Sequence, residues 1–203
     1  MNNWINLPSG LTGEIIDIIP LERIHFPELE RIAKDKRIWE FYAFDGSDPD
    51  TLRNTLEEAL IEKEKETQFP FVIVLKQTGG VIGSTRFMHI QAKNQKLEIG
   101  TTWLLPEYWG TAVNPECKLL LLTYCFETLN TLRVQLKTDE KNVRSRKAIE
   151  KIGGQFEGIL RNDMVRADGT RRNSAYYSII EEEWNEKKTK LVSLFQRLKN
   201  MNH

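Results

Sequence analysis

Two stretches of the chain start helices with Asn, and the first combines residue types at a spacing that suits the capture of an anion. The first reads Trp109-Gly110-Thr111-Ala112-Val113-Asn114-Pro115-Glu116. Asn caps free backbone N–H groups, and proline at a first helical position sacrifices no needed donor, so Asn114 with Pro115 predicts a helix start. Glu116 places a negative charge in the first turn, where the helix dipole favours it. The residues before, Lys96–Leu105, are rich in β-branched and aromatic types and read as a strand that Pro106 ends. A strand that passes through a short loop into a helix N-terminus presents backbone N–H groups to an anion, typically a phosphate. The second stretch, Asn142-x-x-Ser145, opens another helix with Asn as its cap.

Other elements must hold these two helix starts in place. Thr12–Ile19 reads as a strand closed by Pro20, and Leu21–Lys36 as a helix. An aromatic run follows, with Trp39, Phe41, Tyr42 and Phe44. Asp48-Pro49 starts a helix that reaches about Glu66. Phe71–Lys76 and Val81–His89 flank Thr78-Gly79-Gly80 and predict a hairpin, since glycine supplies the positive φ of a tight turn. Arg133–Thr138 reads as a strand and Asn142–Ile152 as a helix stopped by Gly153-Gly154. Phe156–Arg161 and Asn173–Ile180 read as a strand pair turned at Asp168-Gly169. Glu181–Lys199 is a last helix, with Trp184, Leu191, Leu194, Phe195 and Leu198 on one face. That face packs on its own domain, which the pattern favours, or on a second subunit in a homodimer. Hairpins together with a strand–helix–strand crossover argue for one α/β domain on a mixed sheet.

Composition narrows the function classes. A chain of 203 residues suits one domain with a sizeable core. Lys plus Arg is 29 and Asp plus Glu is 29, so no net field draws it to nucleic acid or an anionic membrane. No apolar run reaches the roughly 18 residues of a membrane span, and Met1 to Gly10 lacks the basic-then-apolar order of a signal peptide. Cys117 and Cys125 fall in one predicted helix, too far apart for a bridge within it, with no clustered histidines to suggest a metal. The expectation is a reduced cytoplasmic protein without a metal.

The segment Glu98–Leu129, followed by Arg133–Arg161 with its Asn142-x-x-Ser145 start and its Gly153-Gly154 stop before Phe-Glu-Gly, resembles the GCN5-related N-acetyltransferases (GNAT). It is most similar to the branch of the ribosomal-protein N-terminal acetyltransferases RimJ and RimL, over roughly residues 12–180. The resemblance implies a single GNAT-like domain at 1–180, on a mixed, mostly antiparallel sheet flanked by helices, with 181–203 as a C-terminal helical extension. It implies acetyl-CoA as co-substrate and a primary amine, on a protein N-terminus or a small molecule, as acceptor. The loop Trp109, Gly110, Thr111, Ala112, Val113 and Asn114 would hold the pyrophosphate. The backbone of Trp103, Leu104 and Leu105 would pair with the pantetheine arm, and Asn142 and Ser145 would face it. Ala112 stands where the family prefers glycine, which raises the expectation that Ala112→Gly tightens CoA binding.

The reaction would be attack of an amine on a thioester, and the amine must first lose a proton. Glu98, in the Glu-Ile-Gly of the central strand, would take it. By strand alternation Glu98 shares a face with Gly100 and Thr102. The other reading makes Glu98 structural, paired with an arginine such as Arg86. The departing thiolate would need a proton, and the family's usual tyrosine position holds Ile149. Ser145, Tyr176 and Tyr177 are the substitutes, although the tyrosines suit core and rim packing better. Trp39 and Tyr42 would wall the amine pocket or form a joint between helices, and Tyr176 and Glu98 would also meet the substrate. His25 and His89 read as structural or surface residues. The rival reading of the whole chain is a non-catalytic acyl-CoA-binding or regulatory domain.

Overall fold

The computed structural model describes residues 8–201. The first residues of the expected domain, 1–7, and the last of its C-terminal extension, 202–203, lie outside them. The chain begins with β1 (Leu11–Thr12) and β2 (Ile16–Pro20), then α1 (Phe26–Ile32) and α2 (Pro49–Glu64). Next come β3 (Phe69–Leu75), β4 (Val81–Gln91), β5 (Lys96–Leu104) and α3 (Val113–Thr123). β6 (Arg133–Asp139), α4 (Val143–Lys151), β7 (Gln155–Val165), β8 (Arg171–Ile180) and α5 (Trp184–Met201) complete it.

Among the described residues, eight strands form one sheet in the order β1-β2-β3-β4-β5-β6-β8-β7. Each neighbouring pair is antiparallel except β5 and β6, which run parallel. That parallel pair is joined by the α3 crossover, as parallel neighbours require. The two faces of the sheet carry separate cores. One packs Phe71, Phe87, Leu97, Ile99 and Leu104 against Cys117 and Leu121 of α3, Ile149 of α4 and Trp184 and Leu191 of α5. The other packs Val72, Val81 and Trp103 against Leu29 of α1, Leu52 and Leu56 of α2, and Trp39.

Several expected elements stand where the sequence places them. Asp48 caps α2 by accepting from Thr51 N–H (2.9 Å). Asn142 caps α4 by accepting from Ser145 N–H (2.9 Å). Past α4, Gly153 has φ +98°, and its N–H and that of Gly154 donate to the Glu150 and Ile149 carbonyls. This paired closure needs a residue in the left-handed region at Gly153, which glycine occupies at no steric cost. α5 lies on its own domain: Trp184 stacks on Phe126 with ring centroids 5.1 Å apart and donates to Glu127 (2.7 Å).

Two expectations fail for local reasons. The first strand, expected unbroken over Thr12–Ile19, is a hairpin of β1 and β2. The buried Glu116 carboxylate reaches across and accepts from the backbone N–H groups of Glu14, Ile15 and Ile16 in its turn. The helix expected over Leu21–Lys36 is reduced to α1, flanked by tight 3-10 turns at Arg23–His25 and Lys36–Ile38. Pro27 fits the first turn of α1 and would break the interior of a longer helix.

β5 carries a bulge. Its register to β4 shifts between Ser84 and Arg86, and Thr101 adopts φ +47°. An inserted residue inverts the side-chain alternation beyond it. Leu97, Ile99 and Leu104 therefore share one core, while Trp103 belongs to the other. The expected common face for Glu98, Gly100 and Thr102 is overturned: Thr102 lies beyond the bulge and points to the α3 side, where Lys118 Nζ donates to its hydroxyl.

Candidate active site

β5 and β6 pair only as far as Glu98 and Gln135, then part. A parted strand leaves backbone groups that must find other partners. Leu105 N–H donates to the Ile82 carbonyl on β4 (2.9 Å). Backbone groups alternate edges along a strand, so Trp103 also turns to β4, and Thr102 and Leu104 face the gap. Against the expectation for their backbones, Trp103 and Leu105 turn away from the gap, and Thr102 faces it beside Leu104. Side chains already reach both gap-facing carbonyls. Tyr42 Oη donates to Thr102 O (2.6 Å), and Trp109 Nε1 donates to Leu104 O (3.0 Å).

A cavity of about 370 Å³ opens between this edge and α4. Trp109, Gly110, Thr111 and Asn114 line it, as do Asn142, Ser145 and the cations Arg144, Lys147, Lys151 and Arg197. Gly110 has φ +77° with nothing within 4 Å of the position a Cβ would take, so the loop is open there. The Arg144 guanidinium sits 3.5 Å above the Trp109 ring, a contact worth about 0.5–2 kcal/mol that ties the loop to α4. An apolar and polar slot with four cations on its wall fits a CoA, whose phosphates are anionic and whose pantetheine arm carries amides.

The helix start differs in detail from expectation. α3 begins at Val113, so Asn114 is its second residue and caps nothing. Thr111 does part of that work: its hydroxyl accepts from Val113 N–H (3.3 Å). Pro115 remains in the first turn, where its missing N–H costs no hydrogen bond. Ala112 sits in ordinary helical conformation, φ −69° and ψ −14°, and is buried. Glycine is not required there, so the backbone gives no reason for Ala112→Gly to tighten CoA binding. The substitution should lower stability by about 0.5–1 kcal/mol and leave CoA affinity unimproved, as calorimetry can show.

A second cavity, about 430 Å³, lies against the first. Tyr42, Thr102, Asn114, Asn142 and Ser145 line both. Glu98 lines the second, is 2% exposed, and accepts from Gln135 Nε2 (2.7 Å). Arg86 is not its partner: the register sets Arg86 opposite Gly100, and its guanidinium donates to Gln68 (3.3 Å). Burial pushes Arg86 down to about 10. A Cβ at Gly100 would come 2.9 Å from Glu98 Oε1, so the carboxylate occupies the space that glycine leaves.

The other expected substrate residues divide. Tyr42 faces both cavities, and burial pushes its phenol up to about 12. Trp39 lines neither; it is 3% exposed, donates to Ala33 O (2.7 Å), and packs 5.2 Å from Tyr42, Phe44 and Trp103, so it is the joint rather than the wall. Tyr176 also lines neither and hydrogen-bonds Asp163 (3.3 Å); burial, with the Asp163 charge, pushes it up to about 12. Tyr177 is buried, accepts from Arg146 Nε (2.9 Å) and donates to Glu150 (3.0 Å). His89, expected as a structural or surface residue, is exposed and borders the second cavity, as does Ile149.

A model of the acetyltransferase (GNAT) domain matches residues 16–155, well over half of the chain. The chain belongs to the GNAT family. Its relatives include the uncharacterized N-acetyltransferase p20 of Bacillus licheniformis, 32% identical over 56% of this chain and 63% of p20. YdaF of Bacillus subtilis, whose name assigns it provisionally to the ribosomal N-acetyltransferases, is 29% identical over 85% of this chain and 97% of its own. Among solved structures, a provisionally assigned acetyltransferase from T. thermophilus superposes with a TM-score of 0.83 at 31% identity, covering 93% of this chain and 98% of that one. Mycobacterium smegmatis RimJ, solved with a CoA-disulfide, shares the fold at a TM-score of 0.74 and 20% identity, covering 88% of each chain. The likeness to YdaF agrees with the RimJ/RimL-like branch of GNAT.

Three residues of this GNAT site escape the sequence reading. Lys118 is 5% exposed and lines the second cavity. Its signal was a lone cation inside the apolar run from Cys117 to Cys125, four residues beyond Asn114 and hence on the same helix face. Arg172 lines the same cavity and donates to Phe41 O (3.1 Å). Asp139, fully buried at its side chain, holds Arg166 (2.6 Å) and lies 4.0 Å from Arg172. Neither Arg172 nor Asp139 stands out in the sequence, because the strands that join them are far apart in it. Among the described residues, no three His, Cys, Asp or Glu side chains group as metal ligands, and no helix is long and apolar enough to cross a membrane.

Proposed function

We propose that this GNAT protein transfers an acetyl group from acetyl-CoA to a primary amine by direct attack in a ternary complex. The observation that carries the proposal is the pair of cavities that meet where β5 and β6 part: one is walled by cations and a helix start, the other by a buried carboxylate. Acetyl-CoA supplies an acyl group activated as a thioester. Trp109, Gly110, Thr111, Ala112 and Val113 hold its pyrophosphate, and Leu104 with Thr102 and Asn142 orient the pantetheine arm. RimJ, with its CoA-disulfide, supports that placement by its fold. Glu98 takes the acceptor's proton, and Tyr42 and Ser145 border the point of transfer. Burial pushes the Cys117 thiol up to about 11 and Cys125 higher still, and neither lines the cavities, which favours direct attack over an acyl-cysteine. The name of YdaF supports a protein N-terminus as acceptor; a small-molecule amine fits the same chemistry. Two unbridged cysteines suit a reducing cytoplasm.

Acetyl-CoA should stabilise the protein by about 2.7 kcal/mol at a hundredfold excess over Kd. Gly110→Val should abolish the rise in melting temperature, because a β-branched residue resists φ near +77°. Absence of any shift with wild type at millimolar acetyl-CoA removes the cofactor assignment. Thiol release across an amine panel then separates the enzyme from a non-catalytic acyl-CoA-binding domain, the second reading, which Ile149 at the usual tyrosine position keeps open.

A further inference from the structure

We infer that Lys118 is the proton donor to the departing thiolate, filling the role that Ile149 leaves vacant; the inference rests on the acetyl-transfer reading above. Transfer must occur where the two cavities meet, and Thr102 lines both. Lys118 Nζ donates to Thr102 Oγ1 at 2.6 Å. That hydroxyl is in turn 2.7 Å from Thr85 Oγ1, so the polar partners of this ammonium are neutral. Ile149 shares the cavity wall with Lys118 and carries no transferable proton. A buried ammonium without a carboxylate is costly, and the cost falls when the proton leaves or when an anion arrives. A newly formed thiolate is such an anion.

The charged surroundings agree. On its own helix, Glu116 turns its carboxylate to the β1–β2 turn, and Cys117 is buried as a thiol. From the strands packed around the cavity come His89, Glu98, Lys137 and Arg172. Glu98 is held by Gln135, Lys137 lies 3.9 Å from Asp163, and Arg172 lies 4.0 Å from Asp139. Tyr42 is neutral and donates to Thr102 O. Burial lowers the Lys118 ammonium below the ordinary lysine range, with Cys117 opposing the shift. In the balanced step, the acceptor nitrogen bonds to the acyl carbon as the carbon–sulfur bond breaks. Lys118 gives its proton to the sulfur and Glu98 takes the proton the nitrogen sheds; solvent water then carries that proton away from Glu98 and returns one to Lys118, which restores both groups.

The test begins without turnover. Lysine Nζ resonances of 15N-labelled protein are followed by NMR against pH, with Lys118 assigned by its loss in Lys118→Arg. Lys118 should titrate below the ordinary lysine value of about 10.4, and CoA should shift its resonance. A Lys118 that titrates at the ordinary value, or that saturating CoA leaves unmoved, overturns the inference. In kinetics, Lys118→Met should lower kcat by ~10²-fold, keep KM for acetyl-CoA within a fewfold, and lose the alkaline limb of the pH profile. Lys118→Arg keeps the charge but cannot release the proton, so it should stay slow; a wild-type rate in it overturns proton donation. Turnover by Lys118→Met within threefold of wild type overturns this inference alone. Wild type that binds acetyl-CoA yet releases no thiol with any amine overturns acetyl transfer, and this inference with it. Should Lys118→Met fail to fold, the NMR titration and Lys118→Arg decide.

Discussion

Glu98→Gln is expected to lower kcat by ~10²-fold or more at pH 7, a loss of about 2.7 kcal/mol in transition-state stabilisation, with acetyl-CoA affinity nearly intact. Glutamine keeps the shape and still offers an oxygen to Gln135, whose amide Glu98 accepts at 2.7 Å. What it lacks is a site for the amine's proton. No ion pair is broken, because Arg86 lies opposite Gly100 and donates to Gln68 instead. The melting temperature should therefore stay within about 2 °C of wild type, less than a 1 kcal/mol change would give for a domain of this size. The kinetic signature is a flattened acidic limb of the pH–rate profile. A variant that melts early, yet whose folded fraction turns over within a fewfold of wild type, would make Glu98 a structural carboxylate and leave a water chain as the proton's path.

The contrast between Glu98 and Lys118 shows how far sequence reaches into this site. Local signals were reliable where one residue decides a local conformation. Asp48 and Asn142 cap their helices, and Gly153 closes one, because each acts on backbone within four residues of itself. The α/β architecture followed from the order of such segments. Failures came where a contact spans the chain. The split of the first strand depends on Glu116, about one hundred residues away in sequence. The face of Glu98 relative to Thr102 depends on a bulge at Thr101, and nothing in Gly100-Thr101-Thr102 announces an inserted residue. Strand alternation is a rule of pairing, and pairing involves β4 as much as β5.

The aromatic residues divide for the same physical reason. Trp39 and Tyr42 are three apart, and composition cannot say which of them faces a ligand. Packing decides it. Trp39 fills the core between Ala33 and Trp103, while the Tyr42 hydroxyl reaches the edge carbonyl of Thr102. The parted strands create that free carbonyl, so the role of Tyr42 exists only once β5 and β6 have diverged. Lys118 is a partial exception. A lone cation within an apolar helix is legible, but its partner Thr102 becomes visible only after the bulge turns that side chain toward α3.

Glu116→Ala is expected to cost roughly 3–5 kcal/mol, the second large effect, and to lower the melting temperature by about 10 °C. The carboxylate is 2% exposed and accepts from the backbone N–H groups of Glu14, Ile15 and Ile16, the last of these fully buried. Removing it strands three donors at once, and a stranded buried donor costs about 1–3 kcal/mol, less where water can reach. Burial raises the Glu116 carboxyl pKa, and the three amides, which favour the anion, oppose that rise. Glu116→Gln should fall between wild type and alanine, since one amide oxygen replaces two carboxylate oxygens. The consequence extends to function through α3. Glu116 lies one turn from Gly110–Val113 and ties α3 to the β1–β2 hairpin, so its loss should also weaken CoA binding without touching the cofactor. Calorimetric melting of the two variants, with and without CoA, checks both statements. A melting temperature for Glu116→Ala within about 2 °C of wild type would show that the hairpin amides find water as readily as the carboxylate, and would reduce Glu116 to the helix-dipole charge read from its position in the sequence.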